Sequence, residues 1–298
     1  MTDLMARTAA VVVHHKAFPD VLGTVTALLD QGLAPGDVLL VDNSEVPEIA
    51  DALRTGLPEG VALAVVPNSG YAGAINHALD VLAHRAQAPD YVLVSTHETR
   101  PAPGALALML GAMERDATLG VVGPALTNAE QSTTVVWSLG GRLTPRTRRA
   151  KHVGAGSPLP AGAGSGRVER RDWLDGSFCL YRGAAIKDRR IAEDYFLYFE
   201  EVDFHQAIVA DGWGVGCVVD ALVGQSSHGM PPFYYGRNLR LFQRRNGTTL
   251  SRALALPEAL AMLGRGLLKR QRTPRDVRMF LAGWFAWRGG SAPVRPRR

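Results

Sequence analysis

The sequence predicts an α/β fold: a mostly parallel central sheet with helices on both faces. Three observations lead there. Short, continuous apolar runs rich in β-branched residues occur at 9–13, 37–41, 61–66 and 91–94, and such runs suit strands buried on both faces. Segments of helical character lie between and after them, at 20–31, 47–57, 73–85 and 104–116, and strands alternating with helices build parallel sheets. Polar residues follow the apolar runs: His14 and His15, then Asp42, then Asn68, then Glu98. Open parallel sheets bind ligands beyond the carboxyl ends of their strands, so this series marks the candidate site.

The first strand is an Ala-Ala-Val-Val-Val run, and the helix after it places Val21, Val25, Leu28 and Leu29 on one face. The second strand ends at Asp42, Asn43 and Ser44, the third at Pro67, Asn68, Ser69 and Gly70, and the fourth at Ser95, Thr96, His97 and Glu98. Residues 140–171 are rich in Gly, Ala, Ser, Pro and Arg with little apolar periodicity. A loop of that length inside a domain is a functional lid or a disordered insertion. A strand-like run resumes at 173–181 around Asp175 and Gly176, a helix is expected through 205–210, and a further strand covers 213–219 before the polar stretch 225–228. No internal repeat is evident.

With 298 residues, 46% hydrophobic and 20% charged, the composition is that of an ordinary globular protein of one large or two modest domains. Cys179 and Cys217 give neither a disulfide framework nor a metal-ligand spacing. Both have apolar neighbours and read as inert core residues in a reducing compartment. The N-terminus lacks the basic head and apolar stretch of a signal peptide, and no apolar run approaches the roughly 20 residues that span a bilayer. The expected location is therefore the cytoplasm. Of the net charge of +5, residues 265–298 carry ten Lys/Arg and one acid, which leaves the rest of the chain at −4. An acidic body argues against a general nucleic-acid surface. The basic tail also holds Met279, Phe280, Leu281, Trp284, Phe285 and Trp287. It can be read as a peripheral contact with an anionic membrane or as a helix packed on the body with a frayed basic end.

The densest chemistry lies at Tyr195-Phe-Leu-Tyr-Phe-Glu-Glu-Val-Asp-Phe204, where Glu200, Glu201 and Asp203 directly follow an aromatic run. Ionised carboxylates are costly to desolvate. Such a cluster at the start of a helix either caps its N-terminus or supplies a general base or cation ligands.

Five elements then occur in order: Val41-Asp-Asn-Ser44; Asn68-Ser-Gly-Tyr-Ala-Gly-Ala-Ile-Asn76; Asp175-Gly-Ser-Phe-Cys-Leu-Tyr-Arg182; Phe196-Leu-Tyr-Phe-Glu-Glu-Val-Asp203; and His228 with Tyr234-Tyr-Gly-Arg-Asn238. Together they resemble a family-2 glycosyltransferase of the GT-A fold, most of all its bacterial rhamnosyltransferase-like branch. The resemblance implies a Rossmann-like glycosyltransferase domain over 8–247, with a basic, aromatic helical extension over 248–298. It also implies inverting transfer of a sugar from a dTDP- or UDP-linked donor to a hydroxyl of a cell-wall glycan, a lipid-linked glycan or a small-molecule secondary metabolite.

Residue by residue, the resemblance makes Asp42 an acceptor for a pyrimidine imide N–H and puts Asn68 and Gly70 against the nucleoside. It makes Arg237, beside Asn238, a candidate for the diphosphate. Asp175, beside Gly176, falls where donor sugar or acceptor is held, and the nearby aromatic Trp173 can form a stacking wall for a sugar ring or pack in the core. Glu201 matches the family's base, with Glu200 in reserve and Asp203 as a brace. The family's cation motif corresponds to Thr96-His97-Glu98, which keeps only the last carboxylate. Glu98 and His228 are then the candidate ligands for Mn²⁺ or Mg²⁺, and imidazole favours Mn²⁺. Arg100 is placed to pair with Glu98 or to lend charge to the phosphates. Two other functions fit parts of the pattern: a catalytically silent nucleotide-sugar-binding protein, suggested by the altered cation motif, and a nucleotidyltransferase, which lacks here its usual Gly-rich basic loop.

Overall fold

The four apolar runs are adjacent strands in the computed structural model, which describes residues 2–128, 135–159, 164–226 and 229–286. A short helix α1 (Thr2–Ala6) leads into β1 (Thr8–His14), α2 (Asp20–Leu29), β2 (Val38–Asp42), α3 (Pro47–Gly56), β3 (Ala62–Val65), α4 (Gly70–Ala83) and β4 (Tyr91–Thr96). Next come β5 (Arg100–Pro101), α5 (Ala105–Arg115), β6 (Leu119–Asn128), β7 (Val136–Ser138), β8 (Gly141–Leu143), β9 (Ala150–His152), β10 (Val168–Arg170), β11 (Phe178–Arg182) and α6 (Gly183–Ile186). Helix α7 (Glu200–Ala210) holds the acidic cluster in its first turn. Strand β12 (Gly214–Gln225) and helices α8 (Pro232–Asn246), α9 (Thr249–Leu268) and α10 (Pro274–Ala286) follow.

The main sheet runs β10-β12-β6-β11-β4-β1-β2-β3, with β5 beside β12 and β7 beside β6. Strands β4, β1, β2 and β3 are parallel, as are β6 and β12, while β11 runs antiparallel between β4 and β6. Successive strand residues point to opposite faces, and the core divides accordingly. Val11, Val13, Leu39 and Val41 pack with α4 and α7 on one face. Val12, Leu40 and Leu93 pack with α2, α3 and α5 on the other.

The structure adds one strand and corrects one sequence expectation. The central strand β6 is ten residues long and was not apparent in the sequence, because Gly120, Gly123 and Pro124 interrupt its apolar run. Residues 140–171 are not simply a loop. They contain the β8–β9 hairpin and the edge strand β10, which pairs with β12.

The C-terminal helices form a third core with Trp173, Tyr195 and Phe199. Helices α8 and α10 cross at bare backbone: a Cβ on Gly236 would lie 2.1 Å from the Phe280 carbonyl oxygen, and one on Gly283 would lie 1.9 Å from that of Phe233. Phe280 and Trp284, two of the aromatics that suggested a membrane contact, are buried in this core. Trp287 lies outside the described residues.

Candidate active site

A cavity of about 1080 Å³ opens over the carboxyl ends of the strands. His15, Asn43, Asn68 and Glu98 contribute from the loops after β1, β2, β3 and β4, and Gln225 from the end of β12. Asp175 and Gly176 enter from the approach to β11, and Glu200 and Glu201 from the first turn of α7. The far wall is built by Arg149 and His152 of the β8–β9 hairpin with Met262, Arg265 and Lys269 of the α9 end.

The turn before α7 is strained. Phe196, Tyr198 and Phe199 have φ of 63°, 70° and 71°, a region that non-glycine residues rarely occupy and that clusters at functional sites. The resulting coil points the amides of Tyr198 and Glu200 at the Glu200 carboxylate, and those of Phe199 and Glu201 at the Glu201 carboxylate.

Two clamps hold the turn. Tyr71 N–H donates to the Phe196 carbonyl at 2.8 Å. Behind it, the buried Asn238 amide donates to the carbonyls of Tyr195, Leu197 and Tyr198 at 3.3, 2.7 and 2.8 Å. Asn238→Ala strands those carbonyls, and a loss of about 2–4 kcal/mol in denaturant unfolding is expected.

Arg237 belongs to the same clamp, which corrects its expected role at a diphosphate. It is 2% exposed, and its guanidinium donates to the carbonyls of Tyr195 and Asp194 and to Asn238 Oδ1 at 3.1, 2.5 and 2.7 Å. No part of it reaches the cavity wall. Asp203 braces the other side, accepting from Asn246 at 2.5 Å and Arg245 at 3.2 Å of α8.

Within the cavity the carboxylates are electrostatically crowded. Burial raises the Glu200 pKa to about 7. Burial, then the Glu200 charge, then Asp175, push Glu201 well above the carboxylate range. Gly176 makes room for this carboxylate: a Cβ there would lie 3.3 Å from Glu201 Cβ and 3.5 Å from the Tyr71 ring, and the Tyr71 hydroxyl donates to the Gly176 carbonyl at 2.6 Å.

The neighbouring strand approach is fixed by His205. Its imidazole accepts the Leu174 amide at 3.2 Å, and burial takes its pKa down to about 3, so it stays neutral.

Asp175 stands 3.4 Å from His152 Nδ1. Burial disfavours the His152 cation, but the hydrogen bond to Asp175 and the charge of that carboxylate together outweigh it and the pKa is raised. The His152 ring lies edge-on to Trp173, with centroids 5.0 Å apart, and tilted against Trp137 at 5.8 Å. Trp173 therefore forms a cavity wall while being 3% exposed and part of the third core. His152 was not apparent from sequence; its signal, a histidine in a Gly-rich segment, had no periodicity around it.

At the end of β2, Asp42 is 0% exposed and does not line the cavity. His14 Nε2 accepts the Ala17 amide at 2.9 Å, leaving Nδ1 to donate to Asp42 Oδ1 at 2.9 Å. The Ser44 amide and hydroxyl also donate to that oxygen, at 3.0 and 2.5 Å. Burial raises the Asp42 pKa, and these bonds more than reverse it. The expectation that Asp42 faces a nucleobase is thus corrected: at this level the wall is Asn43 and His15, joined by 3.1 Å hydrogen bonds. Asn68 and Gly70 do line the cavity, with Asn68 Oδ1 accepting the Gly70 amide at 3.1 Å.

Thr96, His97 and Glu98 also line it. Burial, aided by His14, lowers the His97 pKa to about 4, so its imidazole is neutral. Arg100 is turned away, donating to Thr24, the Thr99 carbonyl at 2.8 Å and the Asp20 carbonyl at 3.0 Å. His228 lies outside the described residues, and among the described residues no three His, Cys, Asp or Glu converge as a metal cluster.

A model of "Glycosyl transferase family 2" matches residues 9–178. An N-acetylglucosaminyl-diphospho-decaprenol L-rhamnosyltransferase of Mycobacterium tuberculosis is 26% identical over 195 residues, 60% of this chain and 62% of that protein. The chain thus spans under two thirds of that relative's length. Galactofuranosyltransferase GlfT1 of Mycolicibacterium smegmatis is 26% identical over 220 residues, 71% of this chain and 68% of that one.

Among solved structures, GalNAc-T7 with UDP, GalNAc and Mn²⁺ superposes with a TM-score of 0.57 at 15% identity, covering 80% of this chain and 47% of that one. The mannosyltransferase PcManGT of Pyrobaculum calidifontis, in complex with GDP-Man and Mn²⁺, gives 0.54 at 14% identity, covering 93% and 79%. These likenesses establish the GT-A fold. With the family model covering more than half of its length, the chain belongs to glycosyl transferase family 2.

Proposed function

We propose that this chain is an inverting glycosyltransferase that moves a sugar from a UDP- or dTDP-linked donor to a hydroxyl of a lipid-linked cell-wall glycan. The observation that carries the reading is the placement of Glu201. It is a carboxylate of raised basicity that lines the cavity together with residues of the strand ends and of α9. The nucleoside lies along Asn43, Asn68 and Gly70, which line the cavity beyond β2 and β3. The acceptor enters from the far wall, and its sugar packs on Trp173 beside Asp175 and Gly176. Glu201 takes the acceptor hydroxyl proton as the oxygen attacks the anomeric carbon from the face opposite the leaving diphosphate, which inverts the configuration. The raised pKa suits this task, because a stronger base accepts the proton more readily. The relatives' names support the acceptor class, since one carries a diphospho-decaprenol acceptor in its name.

Glu98 is the residue that would hold a divalent cation. Mg²⁺ and Mn²⁺ bind through one or two carboxylates together with substrate phosphates, so a single cavity-facing carboxylate fits. Such a cation, when bound, neutralises the charge developing on the diphosphate. Calorimetric titration with UDP and dTDP, each with and without Mn²⁺, tests the donor half of the proposal. One pyrimidine nucleotide is expected to bind, more tightly with Mn²⁺, and Glu98→Ala is expected to remove the metal-dependent gain. Binding of neither nucleotide refutes the donor assignment; binding indifferent to Mn²⁺ refutes the cation.

A further inference from the structure

Helix α9 has an apolar outer face that nothing in the described chain covers. Leu250, Leu254, Pro257, Ala261, Gly264 and Leu268 recur at alternating steps of four and three, which is one stripe of a helix. The opposite stripe, Ser251, Ala255, Ala259 and Leu263, is the buried one. Leu250 is 53% exposed, Leu254 37% and Leu268 86%, with Leu260 at 36% on the stripe's flank. A helix that is apolar on its buried side and its outer side alike is not a solvent-facing surface helix. It is also not a span: no helix among the described residues is long and apolar enough to cross a membrane.

Charge around the stripe is one-sided. The single acid of α9, Glu258, is held 3.1 Å from Arg149 of the body. Arg265, Lys269, Arg270 and Arg272, at the end of α9 and the turn after it, are all exposed. No ion pair among the described residues engages any of the four. The nearby Asp276 carboxylate is occupied by the Thr273 amide at 2.7 Å. Arg265, Lys269 and Arg272 also line the far mouth of the cavity. The apolar stripe, the cations and the acceptor entrance are therefore one continuous surface.

We propose that the outer face of α9 docks on an anionic lipid bilayer. The leucines enter the boundary between headgroups and acyl chains, and Arg265, Lys269 and Arg272 meet lipid phosphates at the cavity mouth. An apolar stripe about 30 Å long, flanked by unpaired cations, is complementary to a surface that is negative outside and apolar beneath. This orientation rests on the glycosyltransferase reading in one respect: it delivers a lipid-carried acceptor to the far wall without leaving the membrane.

The test is co-sedimentation of the full chain, without nucleotide, with phosphatidylcholine vesicles lacking or containing phosphatidylglycerol. The native chain is expected to partition onto the anionic vesicles. Leu250→Ser/Leu254→Ser/Leu268→Ser should weaken partition by about tenfold or more. Arg265→Gln/Lys269→Gln/Arg272→Gln should abolish the preference for anionic over neutral vesicles. All six positions lie on the outer face or at the mouth, so unchanged melting temperatures confirm that the variants fold. Failure of the native chain to bind anionic vesicles overturns the proposal, as does equal binding by the leucine variant. A concentration-dependent dimer that the leucine variant dissociates, without vesicle binding, would make the face a contact between copies and overturn it too. Because no nucleotide is present, these outcomes are independent of the calorimetric test of the donor.

Discussion

Glu201→Gln is expected to lower sugar transfer by about a thousandfold, the usual contribution of a positioned general base, while nucleotide affinity by calorimetry is kept. Gln is nearly isosteric, accepts the same backbone amides and cannot take a proton. The native enzyme should also show a distinctive pH dependence. Burial and the Glu200 charge raise the pKa of the Glu201 carboxyl, so the base is protonated and idle at acidic pH. Its transfer rate should climb with pH through a value above the ordinary carboxylate range. Glu200 and Glu201 interact, so the profile reports apparent values of the pair. A rate flat from acidic to neutral pH, or a Gln variant within a few-fold of native, would place the proton acceptor elsewhere.

Gly70→Ala is expected to be the most damaging small change to the scaffold. Gly70 has φ of 92°, and a Cβ there would lie 2.1 Å from the Phe196 carbonyl oxygen, which is backbone and cannot swing aside. The substitution forces apart the loop after β3 and the strained turn that presents Glu200 and Glu201. A loss of about 3–5 kcal/mol is expected, combining backbone strain and overpacking, with nucleotide affinity falling in parallel. Gly104 is the control: its φ is 77°, but a Cβ would meet nothing within 4 Å. Gly104→Ala should cost only the conformational part, about 1 kcal/mol. Equal effects at the two sites would mean that the contact with Phe196 does not matter.

Much of this was legible in the sequence, for physical reasons. The first four strands are buried on both faces, so they read as uninterrupted apolar runs, and the loops after them are polar because they line a cavity. The acidic cluster stood out because carboxylates seldom follow an aromatic run. Strand β6 was hidden because Gly120 and Gly123 are small for tertiary reasons: Trp213 occupies the space over the first, and Leu174 the space over the second. The β8–β9 hairpin was hidden because three-residue strands carry too few positions to show a period. Asp42 and Arg237 were misplaced for a different reason. Residue type and position along the chain do not say which way a side chain turns. Asp42 turns inward to His14 and Ser44, and Arg237 turns inward to the carbonyls of the strained turn. The same ambiguity concealed Asn43 and His152, which do face the cavity.

The most direct test of the account is the release of nucleoside diphosphate from UDP- and dTDP-sugars, with and without a polyprenyl-diphosphate glycan in vesicles, for native enzyme and Glu201→Gln. The account predicts acceptor-dependent release from one of the pyrimidine donors, rising with pH, and nearly absent in the variant although it still binds the nucleotide. Release that proceeds equally in the variant, or its absence with every donor and acceptor, would contradict it.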